Sequence, residues 1–516
     1  RLLELKKALG LFTEKLFEAL SLNNPSAFLS SKSLERRRKN RITISPQDLP
    51  VSTTYLDQVK TTGARILFPL KWINGALITQ KPSELKKTLA LNCVKGQYWN
   101  FPADSSAAFQ IQSGTQSTAI SPDYGNSITQ ITQLGIDQMH AKNIHGEGVL
   151  ITLLDDGFKN ANTVSFLQNT FSEKRISATL TTDPSVSSVY VTGGHGTNVL
   201  STIAGYEPGK LIGTAYKASF ALAQTEESGH ELIVEEANWL RGAEWADSLG
   251  TDIISSSLGY SAFDNPVYNH AYSDMNGKST LVSKAAAWAA SKGILCTISA
   301  GNEGANAWKY ITAPADADSI LTVGAVNALG GLSSFSSIGP SFDGRIKPDV
   351  VAMGSNTVVG LIDGTIGISS GTSFSAPLVA GLAAGLIQSF PTHSAQQIRS
   401  AILQSGSQFT RTDMLLGFGI PTFDKASTAM ELILGITKEP NLRIYPNPIS
   451  PGDALHITIP FPSAQVEIMN NSGIVVHTFN LLQSESTIYL GPFVSGKYYF
   501  RFTAESTSII KPVLLL

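Results

Sequence analysis

Residues 378–387 constrain the fold most strongly, because every one of them is small or apolar. A helix with so little polar surface must be covered on most sides, as in the core of a layered domain. Gly371, Thr372 and Ser373 precede it. If Ser373 caps the helix, Pro377 falls at about the fourth helical position, where no intrahelical N–H bond is lost. The free N–H groups and the positive dipole end suit an oxyanion formed when Ser373 attacks a carbonyl.

Short apolar runs alternate with helical segments through the middle of the chain. The candidate strands are residues 149–154, 219–223, 252–257, 294–299 and 320–326, and the candidate helices between them are residues 235–249 and 281–292. This alternation predicts an α/β domain with a mostly parallel sheet that has helices on both faces. Side chains that carry out chemistry are expected at the carboxyl ends of such strands.

A serine hydroxyl needs a base, and the base needs a group that orients it. Asp155 ends the first apolar run, and His195 stands between two glycines at the start of a small-residue helix. Asn302 follows the run at residues 294–299. The order Asp, His, Ser, with separations of 40 and 178 residues, is one of the orders that distinguish the serine-triad lineages.

Each of these residues also has a simpler interpretation. Gly-Thr-Ser before an apolar helix is a common N-cap, and a lone histidine between glycines is commonly a loop or core residue. Asn302 beside a glycine favours a turn, and many buried strands end in aspartate. The four segments occur in one order, each at a strand end or helix start, and this combination favours a shared catalytic site.

These segments resemble those of the subtilisin-like serine peptidases, the subtilases. The resemblance implies that Asp155 orients the histidine, that His195 acts as general base and then acid, and that Ser373 is the nucleophile. Asn302 would donate its amide N–H to the oxyanion. The resemblance also implies that an edge strand pairs with an extended polypeptide substrate. Its matching residues here are Ser257, Leu258 and Gly259.

Three residues depart from the usual subtilase pattern. Asp156 stands where the family usually has Thr or Ser, Asn198 where it usually has a second His, and Met353 where a Pro is frequent. A second carboxylate beside Asp155 would raise the pKa of one of the two if both were buried. We expect Asp156 to point away, because successive side chains in extended backbone face opposite sides.

Composition limits the partners and the domain count. A chain of 516 residues with 42% hydrophobic residues is expected to hold two to four domains. The net charge of −2 gives no reason to expect nucleic acid or an anionic membrane. The basic run at residues 36–39 is expected to be a solvated helix face. No run approaches about 18 uninterrupted apolar residues, so no transmembrane segment is predicted. Cys93 and Cys296 fall in different predicted domains, and no bridge between them is expected.

The pattern of the first 120 residues predicts a small α+β domain. Helices are predicted near residues 1–20, 31–40 and 83–91, and strands at residues 42–44 and 64–68. Residues 1–20 are interpreted as an amphipathic helix and not as a signal peptide. Residues 101–126 lack periodicity, as expected of an exposed linker. In subtilases a domain in this position is an inhibitory propeptide that assists folding, and we expect the enzyme itself to cut the linker.

The last 80 residues change to short alternating strands, which predict a small β-sandwich. Tyr-Pro-Asn-Pro at residues 445–448, Asn-Ser-Gly at 471–473, Gly-Lys-Tyr at 496–498 and Lys511 resemble the C-terminal sorting domain of type IX secretion substrates in Bacteroidota. That resemblance implies the type IX secretion machinery as a partner and a secreted or cell-surface location outside a Gram-negative cell. A generic carbohydrate- or protein-binding sandwich is the alternative.

The sequence thus predicts a secreted serine endopeptidase made as a self-processing zymogen. Its predicted parts are a propeptide-like domain and linker (1–120), a subtilisin-like catalytic domain (121–436) and a sorting domain (437–516). A catalytically idle scaffold and an amide or ester hydrolase of small substrates are the alternatives. No cofactor is expected for catalysis, and a structural calcium site has no dense acidic loop to support it.

Overall fold

A computed structural model describes residues 6–15, 22–100, 124–227, 229–433, 442–450, 452–470, 474–491, 493–504 and 507–516. The chain divides into two compact units, Arg1–Ala426 and Ser427–Leu516. The predicted domain boundaries near residues 120 and 436 lie outside the described residues. Most of the predicted linker and the predicted turn at residues 471–473 lie outside them as well.

The N-terminal part of the first unit is a four-stranded antiparallel sheet with three helices. Its elements are β1 Lys6–Phe12, α1 Ser31–Lys39, α2 Thr53–Thr61, β2 Arg65–Leu70, β3 Gly75–Gln80, α3 Pro82–Leu89 and β4 Val94–Asn100. The strand order is β2-β3-β1-β4. Helices α1 and α3 and strand β2 agree with the predictions to within a few residues. Helix α2 and strands β3 and β4 were not predicted, and the predicted strand at residues 42–44 is a loop.

The predicted helix at the N-terminus is wrong where the structure describes it. Residues 6–12 form strand β1, which pairs with β3 on one side and β4 on the other. Leu9 on one face packs into the core shared with the central domain, and Ala8 and Phe12 on the other face pack toward α2. Pairing with distant strands and burial on both faces therefore override the local helical pattern.

The central part carries the predicted α/β fold. Its helices are α4 Ile128–Gln133, α5 Ile136–Ala141, α6 Gln168–Ser172, α7 His195–Ala204, α8 Val234–Leu249, α9 Leu281–Ser291, α10 Thr372–Ser389, α11 Ala395–Gln404 and α12 Phe423–Ile433. Its strands are β5 Leu150–Asp155, β6 Ile176–Thr181, β7 Tyr206–Glu207, β8 Leu211–Ile212, β9 Ser219–Gln224, β10 Ile253–Ser256, β11 Leu295–Ser299, β12 Leu321–Val326, β13 Val350–Met353, β14 Thr357–Gly360 and β15 Ile366–Ser369.

Seven of these strands form one parallel sheet in the order β13-β12-β11-β10-β5-β9-β6. The five central strands are buried along nearly their whole length, because helices cover both faces. α8 and α9 pack together on one face, and α7 and α10 pack together on the other. Cys93 and Cys296 are both buried and unbridged, as predicted.

The second unit is a small β-sandwich, as predicted. Its strands are β16 Arg443–Tyr445, β17 Ala454–Thr458, β18 Ala464–Met469, β19 Val475–Leu481, β20 Glu485–Tyr489, β21 Gly496–Ala504 and β22 Thr507–Leu515. They form sheets β16-β17-β20 and β19-β18-β21-β22. Leu455 and Ile457 from the first sheet share one core with Phe500 and Phe502 from the second. No helix among the described residues has the length and apolar character that crossing a membrane requires.

Candidate active site

A carboxylate and an imidazole meet at the carboxyl end of the parallel sheet. Asp155 is the last residue of β5, and His195 is the first residue of α7. Asp155 Oδ1 lies 2.7 Å from His195 Nδ1. The carboxylate is 1% exposed, while the imidazole is 28% exposed. A buried carboxylate thus holds one ring nitrogen, and the ring remains accessible to a ligand.

Ser373 is the second residue of α10, so Gly371 and not Ser373 is the N-cap. Pro377 consequently lies two residues deeper in the helix than predicted. At that depth a residue with an N–H would donate to the Ser373 carbonyl oxygen, and proline cannot. Ser257 Oγ donates to that oxygen instead, at 2.8 Å. The backbone of Ser373 is therefore tied to the segment that follows β10.

The same two segments meet at the serine side chain. Ser373 Oγ lies 3.4 Å from the Ser257 carbonyl oxygen, and Ser373 is 7% exposed. The neighbouring Phe374 ring lies 5.8 Å from the His195 ring, measured between centroids. The start of α10 is therefore packed against the start of α7.

Asn302 follows β11 and contacts the residue just before Ser373. Its Oδ1 accepts hydrogen bonds from the backbone N–H of Thr372 at 2.9 Å and from Thr372 Oγ1 at 3.0 Å. Its amide oxygen is thereby fixed, and its Nδ2 is the atom that remains to donate to a ligand. The four predicted segments converge at one end of the sheet.

A cleft of about 500 Å³ opens beside His195. Ser257 and Leu258 line one part of it, next to the exposed Gly259. Its other lining residues include four carboxylic acids, which are Asp156, Glu226, Glu227 and Glu231.

The three glutamates were not predicted from the sequence, although they follow the carboxyl end of β9, where side chains that carry out chemistry are expected in such a sheet. Burial, with the charge of Glu231, raises the pKa of Glu226 to about 8. Burial, with the charge of Asp264, raises the pKa of Glu231 to about 7. The wall of the cleft therefore becomes more negative as the pH rises through neutrality.

Asp156 does not point away from the site, contrary to prediction. β5 ends at Asp155, so the alternation of side chains in a strand stops there. Asp156 Oδ1 accepts a hydrogen bond from the Gly196 N–H at 3.2 Å, in the first turn of α7. Donor atoms of Asp155, Asp156 and His195 all lie within 4.8 Å of one another. This spacing would allow the three side chains to bind a metal ion, but the hydrogen bond between Asp155 Oδ1 and His195 Nδ1 already occupies two of these atoms.

These neighbours change the proton affinities in the site. Burial and the charge of Asp155 raise the pKa of Asp156 to about 7. Burial alone would lower the pKa of His195, but the charge and hydrogen bond of Asp155 outweigh it. Together with the smaller effects of the Asp156 and Glu226 charges, the Asp155 carboxylate raises the pKa of His195 to about 9. Because a general base must be neutral, activity is expected to rise on the alkaline side.

Replacing Asp156 by asparagine is expected to shift the rising limb of the kcat/KM profile to lower pH by about one unit. Asparagine keeps an acceptor for the Gly196 N–H but removes a negative charge that stabilises the protonated imidazole. The measurement is peptide hydrolysis from pH 5 to 10. Asp318→Asn, at an exposed carboxylate, is the control and should leave the profile unchanged. An unchanged or upward-shifted limb in Asp156→Asn would contradict this electrostatic account.

The fold and the meeting of Asp155, His195 and Ser373 at one end of the sheet are typical of a serine hydrolase built on a parallel sheet. Residues 146–419 match the subtilase family, residues 7–117 match the Peptidase S8 propeptide domain of Bacteroidota, and residues 443–515 match the secretion system C-terminal sorting domain. The chain belongs to the subtilase family, whose match covers more than half of its length.

Subtilisins are among its relatives. Subtilisin NAT of Bacillus subtilis subsp. natto and subtilisin E of Bacillus subtilis (strain 168) are each 27% identical to it over 419 residues, which cover 80% of this chain and 95% of theirs. A thermostable alkaline protease of Halalkalibacterium halodurans is 29% identical over 293 residues, covering 56% of this chain and 70% of its own.

The predicted class is confirmed by these matches. The protein is a serine endopeptidase of the subtilase family with an N-terminal propeptide and a C-terminal type IX sorting domain. It is a secreted or cell-surface protein of Bacteroidota. The generic-sandwich alternative for the last domain is therefore set aside. The individual roles of Asp155, His195, Ser373, Asn302 and residues 257–259 stay predictions.

Proposed function

We propose that Asp155, His195 and Ser373 form the catalytic triad of this peptidase, which works through an acyl-enzyme. The observation that carries the proposal is the 2.7 Å hydrogen bond between Asp155 Oδ1 and His195 Nδ1, with the His195 ring against Phe374 beside Ser373. An Nδ1–H held by the carboxylate leaves Nε2 as the basic nitrogen. That nitrogen takes the proton of Ser373 as the hydroxyl attacks the peptide carbonyl.

The developing negative charge needs donors that are already in place. The Ser373 N–H belongs to the first turn of α10, where backbone N–H groups have no intrahelical acceptor. Asn302 Nδ2 supplies the second donor, because Thr372 holds its Oδ1. His195 then protonates the leaving amine, and water releases the acyl group by the reverse proton path. The scheme uses no cofactor, since these side chains supply nucleophile, base and oxyanion donors.

We assign Ser257, Leu258 and Gly259 to the binding of polypeptide substrate. They follow β10, next to the start of α10, and Ser257 and Leu258 line the cleft. An extended peptide that pairs with this segment would place its carbonyl groups near Ser373.

The N-terminal domain is proposed to inhibit the enzyme until it is removed. Leu70 and Leu77 of its sheet, with Trp72 in the turn between β2 and β3, pack into one apolar core with Trp239 and Leu240 of α8. Lys7 in β1 forms an ion pair with Glu227, which lines the cleft. Both contacts support a prodomain that reaches the wall of the substrate site, and we propose that the enzyme cuts the linker at residues 101–126 itself.

Replacing Ser373 by alanine is expected to leave the chain at full length, because self-processing needs the nucleophile. The measurement is the mass of the purified protein, expressed without other proteases, against wild type. Ser375→Ala, two residues along the same helix, is the matched control and should mature like wild type. A Ser373→Ala chain that matures to the wild-type mass would refute self-processing.

A further inference from the structure

The basic run at residues 36–39 is not a solvated helix face, contrary to the sequence-based expectation. Arg36 and Arg37 of α1 are 4% and 1% exposed, whereas the Arg38 side chain is 83% exposed. Arginines are rarely buried to this extent without specific partners. The partners of Arg36 belong largely to the catalytic domain. Arg37 contacts Ser33 and Asp48 of its own domain and Asp247 of the catalytic domain.

Arg36 binds the ends of two catalytic-domain helices. Its Nε donates to the Lys292 carbonyl oxygen, just after α9, at 3.1 Å. Its Nη1 donates to the Thr251 carbonyl oxygen, just after α8, at 2.7 Å, and its Nη2 donates to the Asp247 carbonyl oxygen at 3.2 Å. The C-terminal ends of helices carry free carbonyl groups and partial negative charge. One planar guanidinium thus caps α8 and α9 together.

Asp247 connects both arginines to the catalytic domain. Its carboxylate is fully buried and forms an ion pair with Arg36 Nη2. Its Oδ2 accepts from Arg37 Nη2 at 2.9 Å and from Lys71 Nζ at 3.1 Å. Burial would raise the pKa of Asp247, but Lys71 and Arg36 outweigh it and lower this pKa to about 2. Asp247 therefore stays charged at neutral pH.

Two further charges complete the cluster from opposite sides of the interface. Arg37 Nη2 donates to Asp48 Oδ1 of the N-terminal domain at 2.7 Å. That same Asp48 oxygen lies 3.2 Å from Lys292 Nζ of the catalytic domain. If the two domains separate, buried charges on both sides lose their partners and must be hydrated again.

This cluster lies at the amino ends of the sheet's strands, whereas the cleft lies at their carboxyl ends. α8 ends at Leu249 and leads directly into the start of β10, and α9 ends at Ser291 and leads into the start of β11. Ser257 and Asn302, in contrast, follow the other ends of these two strands. A substitution at Arg36 or Arg37 therefore changes the binding of the prodomain to the catalytic domain without contacting the predicted catalytic residues.

We propose that Arg36 and Arg37, by capping α8 and α9 and pairing with Asp247, anchor the cleaved prodomain to the catalytic domain and thereby set the delay before processed enzyme becomes active. The partner recognised by this surface of the catalytic domain is the cationic helix α1 of the same chain. The inference rests on the proposed prodomain function and adds the contact that controls prodomain release.

The test compares full-length wild type with Arg36→Gln/Arg37→Gln after processing. Release of the N-terminal fragment is followed by size-exclusion chromatography, and the lag before peptide hydrolysis is timed. Loss of buried, hydrogen-bonded charge pairs acts mainly on the dissociation rate. We expect the double variant to release the fragment at least about tenfold faster, with unchanged kcat and KM of the final enzyme. Arg38→Gln, one residue away and exposed, is the matched control and should behave like wild type.

Asp247→Asn removes the charge from the catalytic side and should also shorten the lag. Release at the wild-type rate in both the double variant and Asp247→Asn would overturn the proposal. Failure of both to give folded protein, while Arg38→Gln folds, would also overturn it, because the cluster would then serve folding and not release. If the wild-type chain does not cut itself, self-processing fails but the anchor can still be tested. Ser373→Ala chains that carry a recognition site for an added protease within residues 101–123 then report fragment separation without catalysis.

Discussion

Replacing His195 by alanine is expected to lower kcat for peptide hydrolysis by about 10⁶-fold, which is the effect of removing the catalytic histidine of a subtilisin. Without the imidazole, no group hydrogen-bonded to Asp155 can take the proton of Ser373. KM should change little, because the edge segment at residues 257–259 is expected to bind the substrate backbone. The measurement is steady-state hydrolysis of a peptide by wild type and variant after the linkers of both have been cut by an added protease, at a recognition site inserted within residues 101–123, and the N-terminal fragments have been removed.

His230 provides a matched control for this variant. It lines the same cleft and also has a carboxylate partner, since its Nδ1 lies 3.3 Å from Asp264 Oδ2. It does not lie at the start of α7 next to Phe374. His230→Ala is therefore expected to change kcat by less than about tenfold. Equal losses of kcat in the two variants, or a larger loss in His230→Ala, would contradict the assignment of His195 as the general base.

Replacing Asp155 by asparagine is expected to lower kcat by about 10⁴-fold. Asp155 Oδ1 accepts from His195 Nδ1 at 2.7 Å and from the backbone N–H of Asp156 at 2.9 Å. An amide in this buried position cannot stabilise the imidazolium that forms during attack, and it allows the ring to adopt the wrong tautomer. The same peptide assay measures the loss.

Asp156→Asn is the natural comparison, because Asp156 is the adjacent carboxylate and also lies near His195. It is expected to retain activity to within about tenfold at its own optimal pH, since its charge assists the imidazolium but does not hold Nδ1. A loss in Asp155→Asn below about 10²-fold, or smaller than that in Asp156→Asn, would contradict the assignment of the orienting carboxylate.

The central fold could be predicted because its determinants are local. Each buried strand is a short apolar run, and parallel strands gather their carboxyl ends at one edge of the sheet. Asp155 and Asn302 follow two such runs, and His195 and Ser373 lie at the starts of two small-residue helices. Chain order and these positions were sufficient to predict which segments meet.

The errors concern residues whose environment is supplied from far along the chain. β1 is a strand because β3 and β4 pair with it, and nothing in residues 6–12 alone encodes those partners. Arg36 and Arg37 are buried because Asp247, more than 200 residues away, meets them. Asp156 faces the site because β5 ends at Asp155 and because the Gly196 N–H, 40 residues along the chain, donates to its Oδ1.

The catalytic site is tested most directly by covalent labelling with a serine-reactive phosphonate, followed by peptide mapping, after the linkers of wild type and variants alike have been cut by an added protease and the N-terminal fragments have been removed. We expect one modified residue, Ser373, with labelling abolished in Ser373→Ala and strongly slowed in His195→Ala. Labelling at another serine, or equal labelling of wild type and Ser373→Ala, would contradict the claim that Asp155, His195 and Ser373 form the catalytic site.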